Sequence, residues 1–348
     1  MHKRVKLEAA VGMPLAHDVT EIRPGDFKGP AFKKGHILRE DDLDHLRRLG
    51  KNHLFVLDIA EDEMHENEAV EILVKALAGE NVGPTGEPAE GKIALVALRD
   101  GLLDVDVQAL LDFNMLGEVM CATRHTNEVV KEGQELAASR AIPLVIKRDV
   151  VQRAAGIAEA AGGIISVREL KERSVGVVIT GSEVFHGLIT DRFEPIIRNK
   201  VNRLGSAVSD VILTPDDGEQ ILGAIRKLLD DDADVIVVTG GMSVDPDDVT
   251  RASISKAGAS PVIYGSPVLP GAMLLVSRIG EVPIIGVPAC AIYYKATVFD
   301  LVFPRLLAGQ DVTRKDIAAL GHGGFCLGCD TCRFPDCPFG KGGIHTIT

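Results

Sequence analysis

Between residues 174 and 257 the chain repeats one pattern three times: a run of β-branched apolar residues, a turn rich in glycine or acid, then a stretch of helical periodicity. The runs are VGVVIT (175–180), VSDVIL (208–213) and DVIVVT (234–239), and the helical stretches lie near 192–204, 217–230 and 246–257. Continuous apolar runs mark strands buried on both faces. Neighbouring parallel strands cannot be joined by a tight turn, so helices cross over between them with a right-handed sense. The pattern predicts a three-layer α/β domain over 172–312 with a mostly parallel sheet. Further strands are expected in 261–289, and a last helix, in 293–309, is expected to break near Pro304.

At 348 residues the chain exceeds one typical domain. Residues 1–80 read as an α+β module: short strands around Gly and Pro, a helix over 40–49, a strand at 53–57 (HLFVL), and an acid-led helix over 61–79. The stretch NVGPTGEPAEG (81–91) reads as a boundary, 81–171 as a mixed α/β linker region, and 313–348 as a short Cys-rich tail. A formal charge of -12 and the absence of any Lys/Arg block exclude a nucleic-acid binder held by phosphate contacts. No stretch approaches the length of a membrane helix and the N-terminus has no apolar signal region, so no membrane partner is expected and the cytoplasm is the expected compartment.

The turns after the runs carry the chemistry. In TGGMSVDPDDVT (239–250), Asp245 suits an N-cap, Pro246 the first helical position and Asp248 the third. Asp191 with Glu194, and Asp216 with Glu219, repeat that arrangement. Capping explains each acid alone. In an open parallel sheet, however, strand C-termini and the following helix N-termini share one edge, where ligands bind. Gly181, Gly187, Gly240 and Gly241 let backbone amides approach an anion there. Carboxylates beside a phosphate call for a bridging Mg²⁺, held by one or two acids, phosphate oxygens and water. A phosphorylated small molecule with a divalent metal is the expected ligand. His186, in the glycine turn, reads as ligand contact or exposed loop, and Met242 and Cys290 as packing residues beside the cleft.

VGVVITGSEVFHGLITD, LTPDDGEQI, DVIVVTGGMSVDPDDVT and PGAMLL…GVPACAIYYKATVFDLVFPRLLAG together resemble the molybdopterin-binding domain of molybdenum-cofactor biosynthesis proteins over about 172–310. The late segments resemble the molybdopterin molybdotransferase branch, which includes the gephyrin E domain. The resemblance implies catalytic roles for Glu183, Asp216 and Asp248, with Asp216 and Asp248 holding Mg²⁺. It implies ligand contacts from Thr180, Gly181, Ser182, Asp191, Gly240, Gly241, Met242, Ser243, Asp248 and Pro288. The implied activity is insertion of molybdate into adenylylated molybdopterin with loss of AMP. The alternative is a non-catalytic module that holds the cofactor for a molybdoenzyme. Three departures bear on this choice: Asp191–Arg192–Phe193 lacks the family's Asn, Pro288–Ala289–Cys290–Ala291 replaces P-G-N-P, and no counterpart of S-x-x-D-G-Y-A is present. A homo-oligomer, dimer or trimer, could supply that last segment in trans. Asp247, Asp248 and Thr250 also match the D-D-x-T of the competence-damage branch, which implies a nucleotide amidase or pyrophosphatase as a lower-ranked reading.

Four of the six cysteines form C-x2-C-x2-C-x4-C-P: Cys326, Cys329, Cys332 and Cys337. This clustering is not a dispersed disulfide framework. Four thiolates suit a structural Zn²⁺ or a [4Fe–4S] cluster, with His322 as a substitute ligand, and unliganded or redox-active thiols are the alternative.

Overall fold

The computed structural model describes residues 2–23, 27–57, 59–89, 91–242 and 249–342. Two compact units are present: Met1–Leu98 with Val105–Arg124 and Glu132–Ser166, and Arg99–Asp104 with His125–Lys131 and Val167–Thr348.

In the first unit, His2–Lys6 pairs antiparallel with His53–Leu57 over a cluster that includes Leu7, Leu15, Leu38, Leu46 and Val56. A four-stranded antiparallel sheet runs in the order Val82–Ala89, Lys92–Ala97, Glu135–Ala141, Val119–Thr123. Helices Glu66–Leu77 and Arg148–Ala160 pack on each other. The Gly/Pro-rich stretch 81–91, expected as a boundary, is therefore strand at Val82–Ala89. It lies at the sheet edge, where a proline's missing N–H leaves no ladder bond unmade. The helix expected over 61–79 starts later: Glu63–His65 is strand, paired with Val145–Lys147, a partner some 80 residues away that local periodicity does not reveal. His65 caps the helix, its Nδ1 accepting from the Asn67 N–H at 3.2 Å.

In the second unit, the elements of the parallel domain are labelled in chain order. They are β1 (Ser174–Thr180), α1 (Ser182–Phe185), α2 (Phe193–Asn202), β2 (Ala207–Thr214), α3 (Gly218–Asp230), β3 (Val235–Thr239) and α4 (Thr250–Lys256). There follow β4 (Ile263–Tyr264), β5 (Leu275–Ile279), β6 (Val282–Val287), α5 (Val298–Leu307) and α6 (Arg314–Ala319). The sheet order is β2-β1-β3-β6-β5-β4; β2, β1, β3 and β6 are parallel, and β5 and β4 are antiparallel.

Alternation along the strands divides the apolar side chains between two cores. Val175, Val177, Ile179, Val235, Val237 and Ile285 join α2 and α5, including Ile197, Phe299 and Phe303. On the other face Val178, Ile236, Val238 and Ile284 join α3 and α4, including Ile221, Ile225 and Ile254. This is the expected three-layer α/β arrangement with a mostly parallel sheet. The last helix, expected to break near Pro304, runs through it to Leu307. Residues 99–104 and 125–131 fold with this unit: Glu128 pairs with Lys341 at 2.9 Å, and the Gln310 amide donates to Asn127 at 3.3 Å. Among the described residues no helix is long and apolar enough to cross a membrane.

Candidate ligand-binding site

Three of the four parallel strands, β1, β2 and β3, end within one residue of each other in register, each on a threonine: Thr180, Thr214 and Thr239. Thr180 lies beside Thr214 and Ile179 beside Thr239 in the ladder. All three are buried, as is Thr250 at the start of α4. The Thr180 and Thr250 hydroxyls lie 3.4 Å apart. The Thr214 and Thr239 hydroxyls have no hydrogen-bond partner among the described residues. A buried hydroxyl left unpaired costs about 1–3 kcal/mol, so a water or ligand atom reaching either is stabilising.

Two glycines bring the loop after β3 against this row. Gly240 has φ +84°, and a Cβ there would lie 2.4 Å from the Thr180 carbonyl oxygen. Gly241 has φ +53°, and its Cβ would lie 2.2 Å from the Thr250 Oγ1. No other residue type fits so close an approach in that left-handed conformation.

The acids separate by what already occupies their oxygens. Asp191 caps a helix start: Oδ1 accepts from the Phe193 N–H and Oδ2 from the Glu194 N–H, both at 2.9 Å. The cap of α3 is Asp217, whose Oδ1 accepts from the Gln220 N–H at 2.9 Å, and not Asp216 as the sequence reading paired it with Glu219. Asp216 is thereby released from capping. Its Oδ2 accepts from Ser182 twice, from the N–H at 2.8 Å and the hydroxyl at 3.0 Å. Its Oδ1 makes no hydrogen bond among the described residues. This pair ties the turn after β1 to the turn after β2, with Gly181 N–H donating to the Thr214 carbonyl at 3.1 Å. The Glu183 side chain is exposed on the same turn. His186 bonds the Ser182 carbonyl at 2.7 Å through Nδ1; a carbonyl only accepts, so Nδ1 carries the hydrogen.

Met242 has its side chain in the α3/α4 core, and its carbonyl accepts from the Tyr264 hydroxyl at 2.6 Å. Ser243 and Asp248 lie outside the described residues. Pro288 leads into a 3₁₀ turn, Ala289–Ile292, in which Ala289 is exposed and Cys290 half-buried at the positions of the resembled loop's Gly and Asn, and Ala291 is buried at that of its second Pro. The Lys200 ammonium fixes the chain beyond it, donating to the Lys295 carbonyl at 2.8 Å and to both Asp300 oxygens at 2.5 and 2.7 Å. Burial pushes the Cys290 thiol up and the Cys121 thiol up to about 12.

The cysteine tail does not form the four-thiolate site that its spacing suggests. Among the described residues no group of three His, Cys, Asp or Glu side chains is placed to hold a metal ion. Cys326 and Cys337 are partly buried against the α2/α5 core, while Cys329 and Cys332 face solvent.

Residues 176–308 match the probable molybdopterin binding domain family. Residues 4–58 of the other unit match a domain of unknown function. Over 88 residues the chain is 33% identical to a protein of Pyrobaculum calidifontis, covering 25% of this chain and 33% of that one. It is 34% identical over 85 residues to a CinA-like protein of Pseudothermotoga lettingae, covering 24% of this chain and 21% of the relative. The chain thus spans a third or less of these curated relatives. Among solved structures, the molybdopterin biosynthesis enzyme MoaB of Thermus thermophilus is similar at 20% identity and a TM-score of 0.35, over 40% of this chain and 98% of that one.

The sequence reading of the parallel domain missed Thr214 and Thr239. The signal was available: all three apolar runs terminate on threonine, in VVIT, VILT and IVVT.

Proposed function

We propose that the molybdopterin-binding domain holds molybdopterin, or its adenylylated form, at the C-terminal edge of β1, β2 and β3. The observation that carries this reading is Asp216. It is oriented by Ser182, no donor among the described residues reaches its Oδ1, and it shares an edge with the glycine pair. Gly240 and Gly241 offer close backbone approach to the ligand's phosphate, and the threonine row offers hydroxyls to its polar atoms.

Mg²⁺ fits this donor set, because it takes one or two carboxylates and fills its shell with phosphate oxygens and water. Asp216 and Asp248 are the acids that would hold it, and the ion would neutralise phosphate charge. Zn²⁺ and [4Fe–4S] do not fit the tail as it is arranged. With molybdate as co-substrate, the finer reading is molybdate insertion with release of AMP, in which the chain acts by positioning.

The test is AMP release from adenylylated molybdopterin with Mg²⁺ and molybdate, alongside equilibrium binding of molybdopterin. Turnover above background that Asp216→Asn abolishes supports the transferase. Binding without AMP favours a module that delivers the cofactor to a molybdoenzyme, a reading supported by the capping role of Asp191 and by the 3₁₀ turn that carries Ala289 and Cys290 where the resembled loop has Gly and Asn. Hydrolysis of a nucleotide substrate without pterin binding would favour the competence-damage reading.

A further inference from the structure

The thiols that do not assemble a metal site are arranged for different chemistry. Residues 327–333 are exposed without interruption, and Cys329 and Cys332 lie on this arc. The arc is pinned at its base. Cys326 N–H donates to the Leu269 carbonyl at 2.8 Å, and Gly340 N–H donates to the Gly323 carbonyl at 2.9 Å. Phe339 is 3% exposed in the α2/α5 core. Pinning both ends of the arc reduces, without removing, the chain entropy lost when its thiols meet.

Within the arc the chain bends at Asp330 and Thr331, between the two cysteines. Three extended residues span at most ~10 Å, and the bends shorten this towards the roughly 4.4–6.8 Å between Cα atoms that a disulfide requires. The other cysteines are shielded: Cys121 is buried, and Cys290, Cys326 and Cys337 are partly buried.

We propose that Cys329 and Cys332 are a reversible thiol–disulfide pair, a modification site whose co-reactant is a low-molecular-weight disulfide. One thiolate attacks a sulfur of the small disulfide, releasing one small thiol and leaving a mixed disulfide. The second thiolate then attacks the protein-side sulfur, forming the Cys329–Cys332 bond and releasing the second small thiol. The protein loses two electrons and two protons, and the small disulfide gains them.

The experiment uses the full chain, reduced and then equilibrated across glutathione buffers of graded potential. Remaining thiols are alkylated and the protein is digested with trypsin, for which Lys315 and Arg333 bracket a peptide holding Cys326, Cys329 and Cys332. The expected peptide is lighter by two hydrogens, alkylated at Cys326, and resists fragmentation between Cys329 and Cys332. Its oxidised fraction should follow the buffer with a single midpoint. Cys329→Ser and Cys332→Ser, both at exposed positions, should yield only the glutathione adduct on the remaining thiol. Adducts without the internal disulfide in the unsubstituted chain overturn the proposal. So does zinc or iron retained at one site per chain with all four tail thiols unreactive.

Discussion

Asp216 and Asp217 are adjacent, yet their surroundings give them different tasks. Asp217 spends Oδ1 on the helix cap, whereas Asp216 is gripped through Oδ2 by Ser182. A carboxylate so oriented offers its other oxygen without first losing rotamer freedom. Ser182→Ala removes both bonds of the hydroxyl, to the Asp216 carboxylate and from the Asp216 N–H, and keeps the Ser182 N–H bond to Oδ2, so pterin affinity in Mg²⁺ should fall about tenfold, the scale of the one lost hydrogen bond that reaches the charged group. Asp216→Asn should cost more than Ser182→Ala in the same titration; equal losses would contradict the role given to Oδ1. In the other unit, burial holds the His65 imidazole below its ordinary value of 6.5. As pH falls through that value the unfolded chain takes up the proton before the folded one does. The stability of the neutral buried ring is complete above it and is lost on acidification towards the folded value. Thermal unfolding between ~pH 8 and ~pH 5 should show this loss. His65→Asn, which keeps a side-chain acceptor at the cap, should flatten the profile; an unchanged acid limb would assign the titration elsewhere.

At the scale of elements, the strands of the parallel domain are legible because residues buried on both faces have no polar positions to interrupt the run. Helix starts are less so. The cap of α3 lies one residue beyond Asp216 because the course of the Pro215 turn, anchored by Ser182 across the strand edge, decides which acid meets the first free N–H groups. The stretch Val82–Ala89 reads as a connector from its Gly and Pro content, and only its place at a sheet edge makes it a strand. The glycine pair is where element geometry and site geometry coincide. Gly240→Ala forces a left-handed alanine, at about 1–2 kcal/mol, before the close approach to the Thr180 carbonyl is counted. It should lower the melting temperature by several degrees and weaken pterin binding together. Gly187→Ala also has a positive φ but meets nothing within 4 Å, so it should retain more of both; a reversed order in a thermal-shift and binding comparison would show that crowding is not the cause.

For the whole molecule, the second unit is discontinuous in sequence. Glu128, buried and paired with Lys341, and Asp104, paired with Arg168 at 2.6 Å, both come from segments far upstream of β1. A fragment beginning at Val167 should therefore melt several degrees below the full chain's transition for the same unit. Equal midpoints in calorimetry would show that those segments add no stability. Loss of the Glu128–Lys341 pair is the larger part of the expected effect, since the Arg168–Asp104 pair is more exposed. The Cys-rich tail also belongs here, with Phe339 in the core and Gly340 against Leu301.

Sequence alone determined the layered α/β character of 172–312 and the glycine turn at the end of β3, because burial and crossover chirality are written into local patterns. Tertiary structure decided which acid caps and which is available, that two threonine hydroxyls find no partner among the described residues beside the site, and that the tail thiols divide between partly buried and solvent-facing positions. Each of these depends on contacts between segments distant in the chain, and residue spacing carries no information about which distant group has already taken a side chain's hydrogen bond or packed against its sulfur.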